Sequence, residues 1–317
     1  MSEDIEAEAP QRGPRQPQSR RAPRDEINGW INLDKPVGVT STQAVAHLKR
    51  LFNAKKVGHA GTLDPLASGV LPIAFGEATK TVPVVQDGAK AYQFVVRWGE
   101  ETDTDDAEGK IVARSEARPS REQIEAALPG FVGLITQTPP TYSAIRIAGE
   151  RAYDLARGGE SFEIASREIV VHRLTLVEAE RDQARFEAEC GKGAYVRALA
   201  RDLGRLLGCG GHVVFLRRTR VGPFSVDLAA PLEVLDASPE ARAAALAPIE
   251  AGLAELPRLA LDRNGAAILR RGQKLLLRGA GLPPEGPAYA ACLGSPIAFG
   301  SIESGYFVST RVFNLPL

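Results

Sequence analysis

The chain has 317 residues, 44% of them hydrophobic, and balances 39 Lys/Arg against 39 Asp/Glu. That apolar share supports a packed core, and the length suits one large domain plus a small one. Zero formal charge means that any nucleic-acid surface must arise from local asymmetry. Cys190, Cys209 and Cys292 are too widely spaced for a disulfide framework or a zinc site and fit a reducing cytoplasm, while no apolar run reaches the roughly 18 residues of a membrane helix.

Residues 1 to 25 carry five acids, five arginines, four prolines and no aromatic. Such a segment cannot bury enough surface to offset its chain entropy, so it is expected to be a disordered tail, either plainly solvated or a basic arm touching RNA. From Ile27 a strand is expected over Trp30 to Leu33, then a turn at Lys35-Pro36. Thr40 or Ser41 can cap a helix whose apolar stripe is Ala44, Val45, Leu48, Leu51 and Phe52.

The next stretch, GHAGTLDPLASGVLPIAFGEATK, spans Gly58 to Lys80 and centres on Asp64. Pro65 pushes Asp64 toward extended geometry, and no Lys or Arg lies between Gly58 and Gly69. A lone carboxylate in such a setting is either an ordinary turn residue or a nucleophile or base awaiting a cation from elsewhere in the chain. Val70 to Phe75 follows as a buried strand. AYQFVVRWG then places Tyr92, Phe94, Val96 and Trp98 on one strand face, with Tyr92 equally suited to the core and to a site.

Glu100 to Gly109 holds six acids in ten residues. This reads as a solvated hairpin turn, with a magnesium-binding DxD as the weaker alternative. Ser120 and Gln123 form a capping box. Residues 137 to 160, QTPPTYSAIRIAGERAYDLARGGE, look like a long irregular loop, a class that commonly carries function. After strands at 169–177 and 186–190, KGAYVRALARDLG opens a helix with Val196, Leu199, Ala200, Leu203, Leu206 and Leu207 as its buried stripe. Arg197, Arg201 and Arg205 share one face, which is either a phosphate track or a solvated face. From about Ala254 the chain turns to short strands and glycine turns, and Arg258 to Arg278 holds six basic residues and one acid.

Together, KPVGVTS, GxLDPxAxGxLP and the distant KGxYxRxLxxDLG resemble the TruB-type tRNA pseudouridine synthases. The resemblance implies an α+β fold, with a central mixed, mostly antiparallel sheet flanked by helices. The domains it implies are a tail (1–25), a catalytic domain (26–253, with 137–160 as an RNA-gripping insert) and a small PUA-like RNA-binding β domain (254–317). It implies an isomerase acting on uridine 55 in the T-loop of tRNA by base flipping, as a cytoplasmic monomer with no cofactor, metal or membrane. Residue by residue, it makes Asp64 the nucleophile, Arg197 its ion-pair partner, and Tyr92 the residue stacked on the base and able to move a proton. His59, Tyr195, Leu216, Arg146 and Lys35 become substrate-binding residues. Arg146 stands where the family usually has lysine, and the KPxGxTS turn also has a structural reading, as a buttress for the Asp64 loop. Whether Asp64 attacks C1′, attacks C6 or abstracts a ribose proton stays open. A tRNA-binding folding helper with dispensable catalysis is the alternative function.

Overall fold

In the computed structural model, the described residues are 23–143, 145–147, 150–151, 162–279 and 282–316, with 146–147 and 150–151 described as backbone only. The expected tail up to residue 22 therefore lies outside them. Asp25 already bridges Ala54, ahead of the expected first strand.

In chain order the strands are β1 (Gly29–Lys35), β2 (Val57–His59), β3 (Ser68–Phe75), β4 (Lys90–Trp98), β5 (Glu100–Thr102), β6 (Ile111–Arg114), β7 (Gly133–Gln137), β8 (Arg146–Ile147), β9 (Glu150–Arg151), β10 (Arg167–Ala179), β11 (Gln183–Cys190), β12 (Gly211–Val221), β13 (Phe224–Ser225), β14 (Ala230–Pro231), β15 (Leu246–Ala247), β16 (Arg258–Leu261), β17 (Leu275–Leu276), β18 (Gly286–Cys292), β19 (Ser295–Glu303) and β20 (Tyr306–Val312). The helices that matter below are α1 (Ser41–Leu51), α2 (Val82–Asp87), α3 (Arg121–Ala127) and α4 (Val196–Leu206).

The main sheet runs β14-β1-β3-β12-β4-β11-β10-β7, with β13, β15 and β2 paired at its flanks. Its pairs are antiparallel except β1–β14 and β3–β12. This is the mixed, mostly antiparallel sheet expected from the motifs. The parallel β3–β12 contact places the strand after the Asp64 loop beside Arg217 and Arg218, far away in sequence.

Local chemistry explains the elements. β3 is buried at every position, so it reads as a continuous apolar run and not as an alternation. Thr40 caps α1 in a capping box with Gln43, and Ser120 does the same for α3 with Gln123. In α4 the apolar stripe holds except for Leu206, which is 64% exposed at the last turn. Between β4 and β11 in the main core, Phe94 stacks on Phe186, which Trp98 meets edge-on.

A second sheet, β16-β18-β19-β20-β17, lies at the C-terminal end. Tyr289, Ala291, Phe299 and Phe313 from this end share one apolar cluster with Trp30, Val70, Ala74 and Phe224 of the larger part. Lys80 donates to the Val312 carbonyl at 2.9 Å, and the Asn314 amide donates to Glu77 at 2.6 Å. The two sheets are thus joined by packed apolar surface and by polar ties at its edge.

One glycine on β3 fixes how closely the strands approach. Gly69 has φ +102, and a Cβ there would lie 2.2 Å from the Arg218 carbonyl oxygen. Gly69→Ala is expected to lower stability by about 2–4 kcal/mol through steric clash and left-handed strain, read as a lower urea midpoint with an unchanged m-value.

Candidate functional site

The Asp64 loop is held from beneath by the KPVGVTS turn. The Ser41 hydroxyl accepts from the Leu63 amide at 2.9 Å and donates to the Leu63 carbonyl at 3.0 Å. Ser41 is free to do this because Thr40, one residue earlier, caps the helix. The Gly38 amide donates to the Pro65 carbonyl at 2.8 Å. Lys35 is completely buried, and its ammonium donates to the carbonyls of Pro36 and Val39 at 2.7 Å and to that of Pro65 at 3.5 Å. The expectation that Lys35 binds substrate is therefore corrected: its donors face backbone, and the turn serves as the buttress. Burial pulls the Lys35 pKa down to about 8, with Asp64 acting the other way.

From the opposite flank comes a residue the sequence reading missed. Arg218, only 3% exposed, donates to the carbonyls of Val70 at 2.8 Å, Thr62 at 3.1 Å and Gly61 at 3.2 Å. The residues just before Asp64 are thus tied by backbone to β12. Burial lowers the Arg218 pKa, while Tyr92 and Asp64 raise it. Nothing local marks this residue, because Arg217 and Arg218 read alike in LRRTR. On the strand they point to opposite faces: Arg217 pairs with Asp34 at 2.7 Å, whereas Arg218 turns inward.

Arg197 supplies the cation that Asp64 lacks nearby. It sits in the first turn of α4, and its Nε is 2.9 Å from Asp64 Oδ2. The contact lies off the line of a hydrogen bond, so charge attraction and not a linear bond holds the two together. The other donors of Arg197 reach the Thr104 carbonyl at 2.8 Å and the Tyr142 carbonyl at 3.0 Å. Asp106 Oδ2 stands 3.3 Å from its Nη1.

The acidic run thereby receives a role that neither earlier reading anticipated. It is a hairpin, but Asp105 and Asp106 are buried at 8% and 3% exposure. Arg201 donates to Asp105 at 2.8 Å, and Arg205 reaches Glu101 at 2.7 Å. Burial outweighs Arg201 and pushes the Asp105 carboxyl up to about 6. Arg197 and Arg201 on the arginine face of α4 are therefore buried, and only Arg205 at its end is solvated. The face is matched, charge for charge, by the hairpin.

Above Asp64 opens a cavity of about 300 Å³. Asp64, Tyr92, Tyr195, Arg197 and Leu216 all line it, so five of the eight expected site residues meet in one place. Burial raises the pKa of the Tyr92 phenol, with Arg218 opposing it. His59 lies on β2 opposite Ile73 and is not among the residues lining the cavity. The Arg146 backbone pairs with Arg151 in the β8–β9 hairpin, and its side chain lies outside the described residues. Lys90, also missed from sequence, lines the cavity with its ammonium on the carbonyls of Gln86 and Gly88. Burial lowers its pKa to about 8.

Comparison with known proteins places nearly the whole chain in one family. Residues 49–196 match the model of the TruB family pseudouridylate synthase N-terminal domain, and residues 197–254 that of the tRNA pseudouridylate synthase B C-terminal domain. The tRNA pseudouridine synthase B of Bradyrhizobium diazoefficiens is 58% identical over 307 residues, covering 94% of this chain and 89% of that protein. The Agrobacterium fabrum protein of the same name is 53% identical over 95% of this chain and 99% of its own. Among solved structures, an H/ACA RNP bound to a substrate RNA containing 2′-deoxyuridine aligns with a TM-score of 0.70 at 26% identity, covering 91% of this chain and 85% of that one.

The Lys35 ammonium makes stability depend on pH. Its folded pKa of about 8 lies below the unfolded value near 10.4. The unfolded chain therefore binds more protons between these values, and this residue's contribution rises as pH rises through that window. The stability of the parent protein relative to Lys35→Met is expected to increase from pH 7.5 to pH 10, measured by urea unfolding at both.

Proposed function

The chain belongs to the TruB family of pseudouridylate synthases, and from that premise we propose that it isomerises uridine 55 in the T-loop of tRNA at the Asp64 cavity. Conversion of a tRNA uridine to pseudouridine makes it an isomerase. The reaction breaks the C1′–N1 bond, turns the uracil and rejoins it through C5. A T-loop base is stacked inside the folded tRNA, so it has to be flipped out to reach a recessed carboxylate.

The single observation that carries the reading is the Asp64–Arg197 ion pair on the wall of a cavity walled also by Tyr92, Tyr195 and Leu216. A guanidinium fixed by two carbonyls and a second carboxylate positions the Asp64 carboxylate without moving itself. Asp64 stays the accessible member of the pair, its side chain 31% exposed against 5% for Arg197. The carboxylate is assigned as nucleophile. Leu216 and the two tyrosines would keep the severed uracil from leaving while it turns, and Tyr92 is assigned to stacking on the base, its phenol kept neutral by burial, with a proton transfer at C5 as its further role.

The C-terminal sheet, with Lys274 4.3 Å from the centre of the Tyr306 ring and Arg258, Arg270 and Arg278 nearby in sequence, is assigned as a PUA-like RNA-binding unit within 254–317. The 26–253 portion is assigned as the catalytic domain. No helix among the described residues is long and apolar enough to cross a membrane, and the reading has the enzyme act as a cytoplasmic monomer on the T-stem-loop.

Asp64→Asn keeps the shape of the side chain and removes its charge. With unmodified tRNA it is expected to form pseudouridine at least about a thousandfold more slowly, the scale for a lost nucleophile, while binding tRNA within about threefold of the parent. Turnover at the parent rate would refute the assignment. Genetic rescue by this variant without modified uridine would instead favour a folding-helper role.

A further inference from the structure

The cations around the cavity divide into two groups. Arg197 faces two carboxylates, and Arg201, Arg205, Arg217 and Arg220 each face at least one. Arg218 and Lys90 direct their donors to backbone carbonyls. Arg167, at the start of β10 and on the cavity wall, differs. Among the described residues no carboxylate pairs with it, and its Nε–H is buried without a hydrogen-bond partner. A buried donor left unmet is unfavourable, and Arg167 stands on the wall of the cavity that a substrate would enter.

Other parts of the side chain brace it. Nη2 donates to the Gly193 carbonyl, and the guanidinium carbon lies 5.3 Å from the centre of the Tyr195 ring. The cross-strand partner of Arg167 is Gln137. That glutamine, 1% exposed, holds both sides of the Tyr195 backbone: its Oε1 accepts from the Tyr195 amide at 2.8 Å, and its Nε2 donates to the Tyr195 carbonyl at 3.1 Å. Gln137 thus fixes the main chain of Tyr195 and Arg167 its ring. Because Arg167 is itself braced, its Nε–H is presented at a fixed place, which lowers the entropy lost on binding.

Resting on the proposed function, we propose that Arg167 is a substrate-binding residue that takes a phosphate oxygen of the target nucleotide through Nε–H while positioning Tyr195. A phosphate suits it because its charge has no carboxylate counterpart among the described residues, and a guanidinium matches anionic oxygens in geometry as well as sign. A strand whose base has been turned into the cavity must carry its phosphates to the rim.

The test uses the full-length enzyme with an unmodified T-stem-loop RNA. Arg167→Met keeps apolar packing against Tyr195 and removes the donor. It is expected to raise KM about tenfold, the effect of one charge-assisted hydrogen bond, with kcat within about threefold. The slope of log Kd against log salt is expected to fall by about 0.7–0.9, the effect of one phosphate contact. Methylphosphonate in place of the phosphates flanking the target uridine is expected to weaken the parent enzyme similarly and to leave Arg167→Met unaffected, the coupling expected of a direct contact. Unchanged KM and slope would overturn the proposal. So would a fall in kcat alone, since that places the donor on the uracil. If Arg167→Met melts at the assay temperature, the methylphosphonate RNA on the parent enzyme reads the same contact without a substitution. A parent enzyme that makes no pseudouridine sinks the proposed function itself, whereas an active parent with flat responses sinks only this contact.

Discussion

A guanidinium buried to 4% exposure has to be matched on every side, and Arg197 sets the terms for the structure around it. An unpaired charge in that position would be prohibitive, so ionic and carbonyl partners must converge on it. Four partners come from three places: Asp64 from the loop before β3, Thr104 and Asp106 from the hairpin, and Tyr142 from the segment after β7. The helix that carries Arg197 is in turn anchored one turn later by Arg201, which reaches Asp105 and the Thr138 carbonyl. The acidic run and the arginine face, each hard to explain alone, are two halves of one electrostatic fit.

That fit leaves Asp64 as the accessible charge at the mouth of a rigid frame. The loop itself has little freedom, because Ser41, Lys35 and Gly38 hold one flank and Arg218 the other. Most of these ties run from a side chain to a backbone carbonyl or amide. Such bonds fix the path of the chain whatever the loop side chains are, which suits a site where the reacting group must keep its aim while a nucleotide enters and turns.

Anchoring extends to the far sheet through shared apolar packing. Trp30 is fully buried and packs 5.1 Å from Phe224, in the same cluster that takes Phe299 and Phe313 from the C-terminal end. Fully burying side chains of this kind contributes on the order of 1.5–3 kcal/mol each before entropy is counted. The basic C-terminal sheet is thereby attached by surface and not merely by a linker, so an RNA touching both parts meets a preset spacing.

Much of this was legible in the chain alone. Periodicity located β1, β3, β4 and the stripe of α4. Capping chemistry located the starts of α1 and α3, and motif spacing brought Asp64, Arg197, Tyr92, Tyr195 and Leu216 together as candidates. These are local signals, written in residue type and interval. Which arginine faces in, which acid answers it, and what a buried lysine touches are not local. Lys35 looked like a ligand for substrate and is a clamp on backbone; Arg218 looked like its neighbour Arg217 and is a strut; the acids after Trp98 looked solvated and are the counter-charges of a helix. In each case the deciding contact joins segments distant along the chain, or runs to a main-chain carbonyl that every residue possesses. Residue type states what a side chain can do, and only the packing of the sheet, loop and helix states which partner stands within reach.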